Sequence, residues 1–175
     1  MSTPSSILFP ALGLGEGSGL AVRESLRPIE NGQRRRTING RLRHTGRPEF
    51  NLYELEISSD DVQPPALSRL WAGTIVTIVP VSELGDYVGN GGTTVTLVRD
   101  PHPGSVRTRD SQGLPVPLSV VGRVVTLAKP ADGLVRLHYR PVLTLMVTEA
   151  WTQDEAETGG AASTSWSISL AEVGG

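Results

Sequence analysis

Hydrophobic and polar residues alternate with a period of two in several segments of this chain. Tyr53, Leu55 and Ile57 fall on one face of an extended segment while Glu54 and Glu56 fall on the other, which predicts a strand buried on one side. Trp166, Ile168 and Leu170, separated by serines, repeat the pattern, and Leu143, Leu145 and Val147 share a face within an extended run from Val142 to Trp151. Gly73 to Val79 is the run richest in branched residues and reads as a central strand, with Pro80 ending it or placing it at an edge. Leu20 to Ile29, Thr93 to Arg99, Val120 to Leu127 and Leu134 to Tyr139 complete the predicted strands. One short helix is expected after Asp60-Asp61, with Pro65 in its first turn, the two carboxylates at its positive end, and Leu67, Leu70 and Trp71 sealing it onto the sheet. The fold class is therefore all-β: an antiparallel β-sandwich or barrel with one short helix and long loops.

Turn residues set the expected connections. Asn39-Gly40 predicts a type I′ hairpin, because that turn needs two residues tolerant of positive φ. The segment from Arg34 to Ile57 then reads as a hairpin followed by a third strand, around which the chain is organised. Asp132-Gly133 predicts a tight turn between neighbouring strands, and Gly85 to Gly92 a loop. Asp100 to Pro117 reads as an exposed loop or insertion that contacts a partner. Gln153 to Gly160 is too polar for a core; a loop centred near Thr158 would set Trp151 opposite Trp166, a cross-strand pair contributing about 0.2–1 kcal/mol. Residues 1–19 form a flexible arm in this reading, and 20–175 a single β domain with an insertion at about 100–117.

Composition narrows the possible functions. With no Cys, disulfides, thiolate catalysis and cysteine-ligated metals are ruled out. Sixteen basic residues against 18 acidic ones give a net charge of -2, so the whole-chain balance gives no reason to expect nucleic-acid or membrane binding. No run approaches the length of a membrane span and no export signal is seen at the amino terminus, so the chain is expected to be cytosolic where it is made and to need no export signal to reach where it works. The charge is nevertheless uneven. Between Arg23 and Arg47 lie eight arginines against Glu24 and Glu30. Arg34, Arg35, Arg36, Arg41 and Arg43 are the candidate subunit-interface residues, their expected counterparts being acidic groups on neighbouring strands or subunits, with Asp60, Asp61 and the later acidic run as sources. No aromatic residue interleaves with them, which disfavours a nucleic-acid platform. Asn39, Gly40, Trp71, Trp151 and Trp166 are assigned structural roles.

No catalytic constellation is legible. His44, His102 and His138 are isolated and no acidic cluster completes a metal shell, so no metal, cofactor or catalytic residue is assigned. Gly13 to Gly19 is glycine-rich, but a phosphate-binding loop needs a strand before it and a helix after it, and neither is predicted. The chain is not expected to be an enzyme.

Three phrases taken in order carry a family resemblance: Arg35-Arg36-Thr37-Ile38-Asn39-Gly40; Pro64-Pro65-Ala66-Leu67 with Leu70-Trp71-Ala72-Gly73-Thr74-Ile75-Val76-Thr77-Ile78; and Tyr139-Arg140-Pro141-Val142-Leu143-Thr144-Leu145-Met146-Val147-Thr148 followed by Trp166-Ser167. Together they resemble small virion structural proteins of siphovirus-type bacteriophages, from about Leu26 to Val173. The Gly-rich amino terminus and Asp100 to Pro117 lie outside the resemblance. It implies a tail-tube or distal-tail-like β module, made in the host cytoplasm and located in the virion tail. Such a module partners with itself in a homo-oligomeric ring and with other phage tail proteins of the distal tail or baseplate. Head–tail joining, capsid decoration, or a host-surface or glycan-binding module using Tyr87 and Trp71 are the alternatives.

Overall fold

A computed structural model describes residues 7–14, 19, 21–158 and 161–174. The protein is all-β and its sheets are antiparallel, with helical structure limited to 3-10 turns at Pro10–Leu12, Pro48–Phe50 and Leu67–Arg69 among the described residues. The strands are β1 (Arg23–Pro28), β2 (Arg34–Arg36), β3 (Leu42–His44), β4 (Tyr53–Asp61), β5 (Ile75–Ile78), β6 (Leu84–Val88), β7 (Thr94–Thr96), β8 (Arg107–Arg109), β9 (Leu118–Val121), β10 (Val124–Leu127), β11 (Val135–Tyr139), β12 (Leu143–Val147), β13 (Thr152–Thr158) and β14 (Ala161–Glu172). The chain divides into two units where a single β domain was expected. One comprises the described residues of Phe9–Val76 and Thr144–Gly175, the other those of Ser6–Leu8 and Thr77–Leu143. The chain leaves the first unit within β5 and re-enters it within β12, so the inserted part is far longer than residues 100–117.

The first unit is organised around β14 rather than around the segment from Arg34 to Ile57. The sheet runs β1-β4-β14-β12-β5, with β13 also on β14. One edge of β14 pairs with β4 from Thr164↔Asp61 to Ala171↔Glu54. Its other edge is shared: β13 takes the amino-terminal half and β12 the carboxy-terminal half. Alternation works as read, since Leu55, Ile57, Trp166, Ile168, Leu170, Leu145 and Val147 are all buried. β5 is the last strand in the order, an edge strand rather than the expected central one, and it ends two residues before Pro80.

Several local expectations are corrected. Gln153 to Gly160 is not a loop as far as it is described: Thr152–Thr158 is strand β13, and the hairpin register sets Gln153, not Trp151, opposite Trp166. Asp60 and Asp61 end β4 and do not start a helix, because the hydrogen-bonded ladder to β14 continues through both. Leu67 and Leu70 are buried as expected, whereas Trp71 is 71% exposed and donates its indole N–H to the Ser68 carbonyl at 3.1 Å. The amino-terminal segment is anchored where it is described: Phe9 and Leu12 are buried, and the Leu12 carbonyl accepts from the Ala66 amide at 2.9 Å.

The second unit has two three-stranded sheets, β7-β10-β9 and β6-β11-β8. Leu97 and Val125 from the first meet Leu137 and Tyr139 from the second in one buried cluster, while Val88, Leu127, Ala131 and Val135 form another. The arrangement is sandwich-like. Val120 to Leu127 is two strands, not one, turning at Gly122, whose φ of 56° a side chain rarely adopts. Asp132-Gly133 accordingly connects strands of different sheets and closes no hairpin. Gly85 to Gly92 holds most of β6, and Asp100 to Pro117 holds β8, with Thr108 buried and Val106 against the core.

Candidate functional site

The arginine segment folds into a two-stranded ribbon that pairs with no other strand among the described residues. β2 and β3 form their own sheet, and β4, the expected third strand, pairs instead with β1 and β14. The ribbon's turn also differs from a type I′ hairpin. Gly40 has φ 74° but Asn39 does not have positive φ, the Gly40 amide bonds the Thr37 carbonyl at 2.8 Å, and the Thr37 amide bonds the Arg41 carbonyl at 2.9 Å. This is a three-residue loop with glycine in the left-handed position, which needs one permissive residue rather than two. At the base, Thr45 and Gln33 exchange bonds at 2.9–3.1 Å. Asn31 clamps the following segment by donating to the Phe50 carbonyl at 2.8 Å and Asn51 Oδ1 at 2.6 Å.

Register decides what the ribbon presents. Arg35 lies opposite Arg43, Arg34 opposite His44 and Arg36 opposite Leu42. Arg41, two residues before Arg43, projects to the same face as the Arg35–Arg43 pair. All five arginines are exposed. Arg34 forms an ion pair with Glu30 at 3.0 Å, Arg35 donates to Gln33 Oε1 at 2.8 Å, and Arg36 donates to the Gly40 carbonyl at 3.0 Å. Among the described residues Arg35, Arg36, Arg41 and Arg43 have no ion pair. Apart from Arg34–Glu30, the five arginines therefore use no intrachain acidic partner among the described residues. Asp61 in particular is buried, accepting from the Trp166 indole at 2.7 Å and the Gly19 amide at 2.8 Å. Ile38 at the tip is fully exposed and Leu42 is 60% exposed, so an apolar tip sits on a basic stem.

A second basic face, in the other unit, escaped the sequence reading. On the outer side of β6-β11-β8, Tyr87, Arg136 and Arg109 form one cross-strand row, with His138 and Arg107 in the next. Arg107 pairs with Glu83 and Arg109 donates to the Gly113 carbonyl at 2.8 Å. The signal was the alternation Arg107-Thr108-Arg109, hidden in a stretch rich in turn residues. His44 lies in β3, His138 in β11 and His102 in the segment between β7 and β8, and among the described residues no group of three metal-ligating side chains occurs. No helix among the described residues is long and apolar enough to cross a membrane.

No family model matches this chain, and no match was found among curated proteins or solved structures.

Proposed function

We propose that this chain is a structural subunit of a phage tail, forming a ring at the distal tail or baseplate end and acting by assembly. The observation that carries the reading is the β2–β3 ribbon. An isolated two-stranded hairpin is marginal in water and normally gains stability by packing on something. Among the described residues this one hydrogen-bonds to no other strand, and it sets Arg35 opposite Arg43 and exposes Ile38 and Leu42. A surface of that kind is accounted for by a partner present in the working assembly. The resemblance of the three sequence phrases to siphovirus virion proteins supplies the setting, and the all-β, cysteine-free fold suits it.

Electron microscopy of the purified protein together with its light-scattering mass tests the reading. Closed rings, or monomers that join a partially assembled tail, are expected. A strict monomer that ignores tail components refutes it. Gold labelling of intact virions separates a distal-tail position from head–tail joining or capsid decoration. A host-surface or glycan-binding role is the second reading, favoured by Trp71 and Tyr87, which are 71% and 63% exposed. Saturable saccharide binding lost on Trp71→Ala or Tyr87→Ala would select it.

A further inference from the structure

Resting on the reading of the chain as a ring subunit, we propose that its arginine ribbon docks on an acidic ribbon of a second copy, built from β13 and the start of β14. The two ribbons are opposite in charge and alike in form. β4 ends at Asp61, opposite Thr164, while β13 and β14 continue beyond it through Ala156↔Ser163, Glu157↔Ala162 and Thr158↔Ala161. Asp154, Glu155 and Glu157 are exposed there, and no basic residue occurs between residues 152 and 164. None of the three carboxylates has an ion pair among the described residues. The basic ribbon carries Arg34, Arg35, Arg36, Arg41 and Arg43 with no acidic residue between residues 33 and 45.

A second copy is the occupant these charges select. A chain with net charge -2 holds within one unit both a purely basic and a purely acidic ribbon, each with its charges largely unpaired. Two basic ribbons cannot meet each other, because like charges on facing strands repel. A contact of like ribbon on like ribbon is thereby disfavoured and basic on acidic remains, either reciprocal in a two-fold pair or head to tail; the ring reading takes the head-to-tail form, which closes into a ring or runs on as a filament. Among the described residues β13 pairs only with β14, which leaves its outer edge open, so backbone pairing can accompany the charge contact.

The test is charge exchange on the full chain, read by light-scattering mass and electron microscopy against protein concentration. R35E/R43E and E155K/E157K should each raise the half-assembly concentration at least about 10-fold, as expected for like charges set face to face. The fourfold variant carrying both changes should recover assembly, because the signs are again complementary. Raising salt from about 0.1 M to about 1 M, which shortens the Debye length from roughly 10 Å to roughly 3 Å, should weaken the wild type in the same direction. Circular dichroism confirms that each variant is folded. Wild-type assembly by both single-ribbon variants, failure of the fourfold variant to recover, or loss of assembly only in R109E/R136E would overturn the inference. In those cases wild-type protein still entering phage tails would leave the assembly reading standing. Wild type that neither self-associates nor joins tails would remove both.

Discussion

Asp61 and Trp166 offer the sharpest test of how the first unit is held together. Both are buried, with exposures of 3% and 2%, and the indole N–H donates to Asp61 Oδ2 at 2.7 Å while the Gly19 amide donates to the same oxygen at 2.8 Å. Asp61→Ala leaves two buried donors without this acceptor, at about 1–3 kcal/mol each. It also removes the penalty of burying a carboxylate, which offsets part of that loss. The net expectation is destabilisation by about 2–4 kcal/mol, or a midpoint lowered by roughly 5–15 °C in a protein of this size. Trp166→Phe should lose the charge-assisted bond, about 1.5–3 kcal/mol, together with some packing. The packing loss is common to both legs of a double-mutant cycle and cancels. Urea titrations followed by circular dichroism on wild type, D61A, W166F and D61A/W166F should therefore give a coupling of about 1.5–3 kcal/mol. Additive single effects, or an Asp61→Ala cost under about 0.5 kcal/mol, would refute the hydrogen-bonded pair as a source of stability.

Three further outcomes follow from the packing. The Ser59 hydroxyl is buried with no hydrogen-bond partner among the described residues, so Ser59→Ala should stabilise the protein by about 1 kcal/mol in a denaturant titration. A Cβ at Gly46 would lie 2.0 Å from Asn31 Oδ1 and 2.5 Å from the Asn31 backbone oxygen. Gly46→Ala should thus cost about 1–3 kcal/mol at the ribbon base. Hydrogen exchange should show lost protection at the Thr37 and Thr45 amides, with the second unit unchanged. Leu137, fully buried in the core of the second unit, should cost about 2–5 kcal/mol on replacement by Ala, measured by thermal unfolding.

What was legible in the sequence divides along a physical line. Strands buried on one face announce themselves, so β4, β12 and the Trp166–Leu170 stretch of β14 were read with the correct inward residues. Pairing partners are not encoded in alternation. β14 supplies one edge to β4 and splits the other between β13 and β12, and nothing in its own residues specifies that. Polar strands were missed for a related reason. β13 and β8 carry few apolar residues because they lie exposed or at sheet edges, where no core selects for hydrophobicity. The Asp60-Asp61 pair shows the limit of capping rules. A carboxylate before a proline-rich turn looks like a helix start, yet Asp61 is held in a strand by an indole 105 residues away. In the candidate site, the five arginines and the Asn39-Gly40 turn were found from residues alone. The Arg35–Arg43 face and the extent of the acidic β13–β14 ribbon needed the register.

The ribbon's own charges explain how it can stay exposed without pairing edge to edge with other copies of the chain. An unpartnered hairpin has two open edges, and open edges pair with one another unless something prevents it. Arg35 set against Arg43 opposes folding of the ribbon by about 0.2–1 kcal/mol. Two such ribbons brought edge to edge multiply that repulsion. The same arginines that weaken the isolated ribbon therefore block its association with copies of itself, and they do so without blocking an acidic surface. Selectivity arises from the repulsion as much as from the attraction. Replacing the five arginines with neutral residues would stabilise the ribbon locally while removing the distinction between a correct partner and an arbitrary edge.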